Sequence, residues 1–129
     1  MGITNRTVPR DALAVVNAYL DAFTSWRVEE ARALVADGFV FEGPFIKTDD
    51  KEAFFAGAAG LGRIAQGHRV LRQWADGDDV STVYEFELGT PERHGPIVMS
   101  EWHTVKDGLI VSSRLLFDTA QFRALVPAP

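Results

Sequence analysis

An α+β fold, with helices gathered on one face of a long antiparallel sheet, is the class this chain predicts. Three observations carry it. Apolar residues recur at helical spacing near the start of the chain and at strand spacing through its second half. Asp107-Gly108 sits between two strand-like runs, the strongest short-range hairpin signal. No linker, internal repeat or low-complexity stretch divides the 129 residues, so one domain is expected over 1–129, ordered from about residue 7 to 126.

The elements follow in order. Thr7 in a cap region, Pro9 in the first turn and Asp11 after it open a helix. Ala12, Val15, Val16, Tyr19, Leu20 and Phe23 form its apolar stripe. Ser25-Trp26 breaks the stripe, and a shorter helix is expected from Val28 to Ala36, ended by Asp37-Gly38, with Ala31, Leu34 and Val35 inward. Phe39 to Gly43 reads as a short strand stopped by Pro44. Asp49 with Glu52 resembles a capping box and starts a third helix, striped by Phe54, Ala58 and Leu61 and weakened at its end by Gly57, Gly60 and Gly62. Strands are then expected at 68–75 and 80–88 around an Asp76–Asp79 turn, and at 97–106 and 109–117 after a polar loop from Gly89 to Pro96. Asp118 caps a last short helix carrying Phe122 and Leu125, and Pro127 ends it. The order is α-α-β-α-β-β-β-β-α.

Composition narrows the function. Hydrophobic residues make up 47% and charged residues 24%, with mean hydropathy −0.02, a globular profile. The net charge of −5 and the lack of a Lys/Arg cluster argue against nucleic acid and against an anionic membrane surface. The absence of cysteine removes disulfides, thiolate nucleophiles and Cys-based metal sites. No apolar run approaches a membrane span, and the N-terminus lacks the apolar core of a secretory signal, so a cytoplasmic location is expected. Asn5-Arg6-Thr7 is a glycosylation sequon without meaning in that compartment, and Arg6 breaks the myristoylation pattern begun by Gly2.

Three stretches carry a resemblance: Val15-Val-Asn-Ala-Tyr-Leu-Asp-Ala-Phe, Ala33-Leu-Val-Ala-Asp-Gly-Phe-Val-Phe-Glu-Gly-Pro, and Val105-Lys-Asp-Gly-Leu-Ile with Arg114-Leu-Leu-Phe-Asp. In order and spacing they resemble the nuclear transport factor 2-like superfamily, more narrowly its SnoaL-like and ketosteroid-isomerase-like members. The resemblance implies a curved sheet wrapped around helices into a cone, a ligand pocket at the open end, and a homodimer packed through the convex sheet face. The steroid-isomerase branch's first-helix tyrosine matches Tyr19, and its oxyanion-stabilising aspartate matches Glu101 when one residue is gapped at the hairpin. Its catalytic-base aspartate falls on Gly43, which speaks against steroid isomerisation here. Glu42 would replace that base only if a bulge at Gly43-Pro44 re-aimed it. The epoxide-hydrolase-like branch's acid falls on Leu115. Glu101 and His103 imitate only loosely the His and Asp of the dehydratase-like and cyclase-like branches.

Glu101 and His103 lie two apart on one strand and so share a face. A carboxyl in an apolar cavity resists ionisation, and beside a phenol it can donate to a developing oxyanion. Tyr19, Glu101 and His103 are therefore the candidate catalytic residues, with Phe23, Phe41, Phe54, Tyr84, Phe86 and Phe117 as the substrate-binding walls of a cavity of several hundred Å³. The competing structural roles are an ion pair for Glu101 and ordinary core packing for Tyr19 and His103. His68 is placed at the cavity rim and His94 in solvent, and with His103 they lack ligand-type spacing, so no metal is expected. No organic cofactor is expected, and Gly57 to Gly62 lack the order of a nucleotide loop. Glu85 and Glu87 are assigned to the convex face, meeting Arg114 or a second subunit. Two functions stay open: a cofactor-independent acid/base enzyme (isomerase, dehydratase, cyclase or epoxide hydrolase) acting on a small, largely apolar oxygenated molecule, or a non-catalytic module holding a hydrophobic ligand.

Overall fold

The computed structural model describes residues 11–126; Thr7 and Pro9 lie outside them. Asp11 caps helix α1 (Ala12–Thr24), its carboxylate accepting from Ala14 N at 2.8 Å. Val15, Val16, Tyr19 and Leu20 are buried along it. The helix ends in a Schellman pattern, with Arg27 N donating to Ala22 O and Trp26 N to Phe23 O. Trp26 takes the left-handed position of that motif, at φ 54°, where glycine is usual. Its ring stands edge-on to Phe23, 5.6 Å between centroids, and against Gly62, where a Cβ would lie 2.6 Å from the indole nitrogen. Packing there offsets the roughly 1–3 kcal/mol of left-handed strain.

Helix α2 (Val28–Ala33) is shorter than its periodicity predicts, and Val35 already belongs to strand β1 (Val35–Glu42). Leu34 O accepts from Ile110 N at 2.9 Å, and Val35 pairs with Ile110. A long-range ladder thus takes β-branched Val35 from the helix. Asp37-Gly38, expected to stop that helix, lies in the irregular part of β1, between the Val35↔Ile110 and Val40↔Ser112 pairings. Gly43 N donates to Ile46 O at 2.8 Å, turning the chain into a two-residue strand β2 (Lys47–Thr48) too short for any sequence pattern to mark. Helix α3 (Lys51–Ala58) is capped by Asp50 rather than Asp49. Asp50 Oδ1 is the acceptor for Glu52 N, while Thr48 Oγ1 accepts from Asp50 N. A 3₁₀ turn (Ala59–Arg63) follows where the glycines weaken the helix.

The remaining strands are β3 (Ala65–Asp76), β4 (Asp79–Gly89), β5 (His94–Lys106) and β6 (Leu109–Phe117), and helix α4 (Thr119–Leu125) is capped by Asp118. The first three of these strands run longer than predicted; the polar loop shrinks to residues 90–93 because His94 pairs with Gly89. Among the described residues the sheet has six strands in the order β2-β1-β6-β5-β4-β3. It is mixed rather than wholly antiparallel, since β1 runs parallel to β6. That pairing closes the helical half of the chain onto the end of the meander.

Strand alternation separates two faces. Val80, Thr82, Tyr84, Phe86 and Leu88 of β4 and Ile97, Met99, Glu101, His103 and Val105 of β5 are buried on the inner face, under the helices. The outer face carries Val40, Trp74, Val98, Trp102 and Leu116, all exposed, with the ion pairs Arg69–Glu85 at 2.9 Å and Arg114–Glu42 at 3.5 Å. Arg114 thus meets Glu42, and Glu85 meets Arg69. Among the described residues no helix is long and apolar enough to cross a membrane.

Candidate functional site

A cavity of about 660 Å³ opens between the helices and the inner sheet face. Tyr19 and Phe23 enter it from α1, Phe41 from β1, Phe54 from α3, Tyr84 and Phe86 from β4, Glu101 from β5 and Phe117 from β6. The rings form a continuous wall: Tyr19 stacks on Phe23 at 5.6 Å, Phe23 on Phe54 at 5.9 Å, and Phe54 meets Phe41 at 4.6 Å. Such aromatic pairs each contribute about 0.5–1.5 kcal/mol beyond their burial. Exposed Pro44, Phe45, Gly57, Gly60 and Arg63 mark the mouth.

Glu101 is the only carboxylate on this lining among the described residues, and it is buried. Tyr84 Oη donates to its Oε1 at 2.7 Å. The tyrosine expected beside Glu101 was Tyr19, yet the hydrogen bond comes from Tyr84, diagonal to Glu101 in the β4–β5 register, where Thr82 lies directly opposite. Burial raises the Tyr19 phenol well above its ordinary value, and the nearby Glu101 charge adds to the rise. The Tyr84 phenol is raised by the same two causes and by its bond to Glu101. Both hydroxyls are therefore held as neutral donors.

His103 does not line the cavity. It is fully buried behind Glu101, its Nε2 3.3 Å from Glu101 Oε2 and its ring edge-on to Tyr19 at 5.6 Å. The approach is close but poorly directed, so both ring nitrogens lack a hydrogen-bond partner among the described residues, as does Ser113 Oγ on the cross-strand neighbour. Each such buried polar group costs about 1–3 kcal/mol, which points to a reason other than packing for keeping the imidazole there. His68 lies on β3 rather than at the mouth. Thr24 Oγ1 donates to Leu20 O, so His68 Nδ1–H, 2.9 Å away, donates to Thr24. Partial burial lowers the His68 pKa.

At the two positions where resemblance located missing acids, the cavity is apolar. A Cβ at Gly43 would lie 2.8 Å from the Phe41 ring, and Glu42 beside it faces outward to Arg114. Leu115 lines the cavity directly opposite Glu101. Sequence reasoning missed Met99, Leu115, Ile46, Leu61, Arg63 and Phe122 as lining. The first two share strand parity with Glu101 and Phe117 and could have been found by alternation alone.

The comparisons agree with this architecture. The profile of the SnoaL-like domain matches residues 16–113. A protein of Kribbella flavida of known structure is 32% identical over 88% of this chain and 91% of its own, with a TM-score of 0.77. An epoxide hydrolase of the LEH-like type from M. tuberculosis is 24% identical over 89% of each chain (TM-score 0.76). A protein with a ketosteroid isomerase-like fold from Catenulispora acidiphila is 15% identical over 89% of this chain and 93% of its own (TM-score 0.71). None of the curated proteins matches. A helical half closed onto a six-stranded mixed sheet, an aromatic cavity between them and a profile match over most of the chain make this protein a member of the SnoaL-like domain family.

Proposed function

We propose that the protein is a cofactor-independent acid/base enzyme acting on a small, largely apolar molecule bearing a reactive oxygen. One observation carries this reading: a single buried carboxyl among the described residues, Glu101, reaches into an aromatic cavity with a phenol bonded to it and an imidazole behind it. Glu101 gives or takes the proton at the substrate oxygen. Tyr19 orients that oxygen with its neutral hydroxyl, and Tyr84 fixes the carboxyl rotamer. His103 acts through Glu101 as a positioning residue, since it does not reach the cavity. Isomerisation, dehydration, cyclisation and epoxide opening all need a proton moved at oxygen. The epoxide hydrolase neighbour supports this range, although the acid that resemblance to the epoxide-hydrolase-like branch implies falls on Leu115, and the carboxyl stands on the facing strand instead.

The second reading is a binding module without catalysis, favoured by Gly43 and Leu115: among the described residues no second acid lines the cavity. Turnover of a panel of epoxides, enones and β-hydroxyketones by wild type and Glu101→Gln separates the two. The enzyme reading expects the Glu101→Gln variant to lose about 10²-fold or more in kcat, the scale of general acid–base catalysis, with KM little changed. Binding without turnover in either protein supports the module. We further propose that the exposed apolar outer face pairs two copies of the chain, and that the protein works in the cytoplasm.

A further inference from the structure

We infer that Arg63 makes this cavity selective for amphipathic anions, compounds with an apolar body and a carboxylate at the end that faces the mouth. This rests on the reading of the cavity as a small-molecule site and names the class of molecule it takes. Among the described residues Arg63 is the only basic residue on the cavity lining and is exposed, whereas Glu101, the only acidic residue there, is buried. The guanidinium and the carboxyl therefore stand at opposite depths. Among the described residues Arg63 takes part in no ion pair, although Arg27, Arg32, Arg69 and Arg114 each hold a carboxylate.

A second cation borders the same mouth. The Arg123 guanidinium stacks over Phe45, 4.8 Å from its centroid, and Phe45 is part of the lining. The acid close by in sequence, Asp118, has Oδ1 occupied by Ala120 N and Gln121 N at the start of α4. In a chain of net charge −5, this cavity mouth carries two arginines. A guanidinium binds a carboxylate by two parallel N–H···O bonds. An anion held there would point its apolar body down the aromatic wall and place any oxygen at its far end beside Glu101 and Tyr19. The opposite orientation would set carboxylate against the Glu101 carboxyl.

Calorimetric titration of three probes tests the inference: 4-(2-naphthyl)butanoate, its primary amide and its methyl ester. Wild type is expected to bind the carboxylate about tenfold more tightly than the amide or ester, as one charge-assisted contact allows. The gap should narrow as salt is raised, because the pair is exposed. Arg63→Gln is expected to abolish the preference for carboxylate over amide, and Arg63→Lys to retain part of it. If all three probes bind wild type equally, or the preference survives in Arg63→Gln, the assignment of Arg63 is wrong while the cavity reading stands. If none binds wild type, the cavity reading falls and this inference with it.

Discussion

The chain has two tyrosines, Tyr19 and Tyr84; both line one cavity, and Tyr84 donates to its carboxyl. Their phenols are raised by burial and by the Glu101 charge, so the folded protein holds both protons where an unfolded chain, ionising near pH 10, would lose them. The unfolded state thus binds fewer protons above that pH, and stability falls as pH rises past it. Ultraviolet titration is expected to show no tyrosinate absorbance before the alkaline unfolding transition, then both phenols at once. A tyrosine titrating near its ordinary value in folded protein would mean that the cavity is wet. The same scale explains why the missing steroid-isomerase acid cannot simply be restored. A side chain at Gly43 runs into the Phe41 ring, which is held by Phe54 and Phe39.

Among the elements, α4 is a short one that touches the cavity and depends heavily on one side chain. Asp118 supplies its cap, and Phe122 joins it to Phe117 at 5.1 Å and to Phe45 at 5.4 Å. Asp118→Ala is expected to cost about 1 kcal/mol. Hydrogen exchange should show the loss confined to α4, with the sheet amides still protected; uniform loss of protection would show that the helix is not a separate unit. How far elements were legible follows the range of their contacts. The strands of the meander were readable because alternation and hairpin turns are local, as at Asp107-Gly108, where both residues adopt positive φ. The boundary between α2 and β1 was not readable, because Val35 is taken by Ile110 from the far end of the chain. In the site, alternation located Glu101 on the inner face. Which phenol would bond it depended on the β4–β5 register, and the depth that hides His103 behind Glu101 depended on helix packing; neither is written in spacing.

At the scale of the molecule, the outer sheet face presents Val40, Trp74, Val98, Trp102 and Leu116 to solvent. An extended apolar face of this kind is uncommon on monomers. Light scattering is expected to give a dimer for wild type and a folded monomer for Leu116→Lys; a monomeric wild type would remove the proposed pairing. The parallel pairing of β1 with β6 also bears on the order of assembly. The ladders of β3, β4, β5 and β6 close over turns of a few residues, whereas Val35 must find Ile110 across most of the chain. Loop closure of that length carries the larger entropy penalty, so the meander is expected to form early and β1, with the helices that roof the cavity, to dock late. On that order the cavity is absent from the transition state for folding. A ligand that fills it is expected, in stopped-flow measurements, to slow unfolding and leave the refolding rate unchanged.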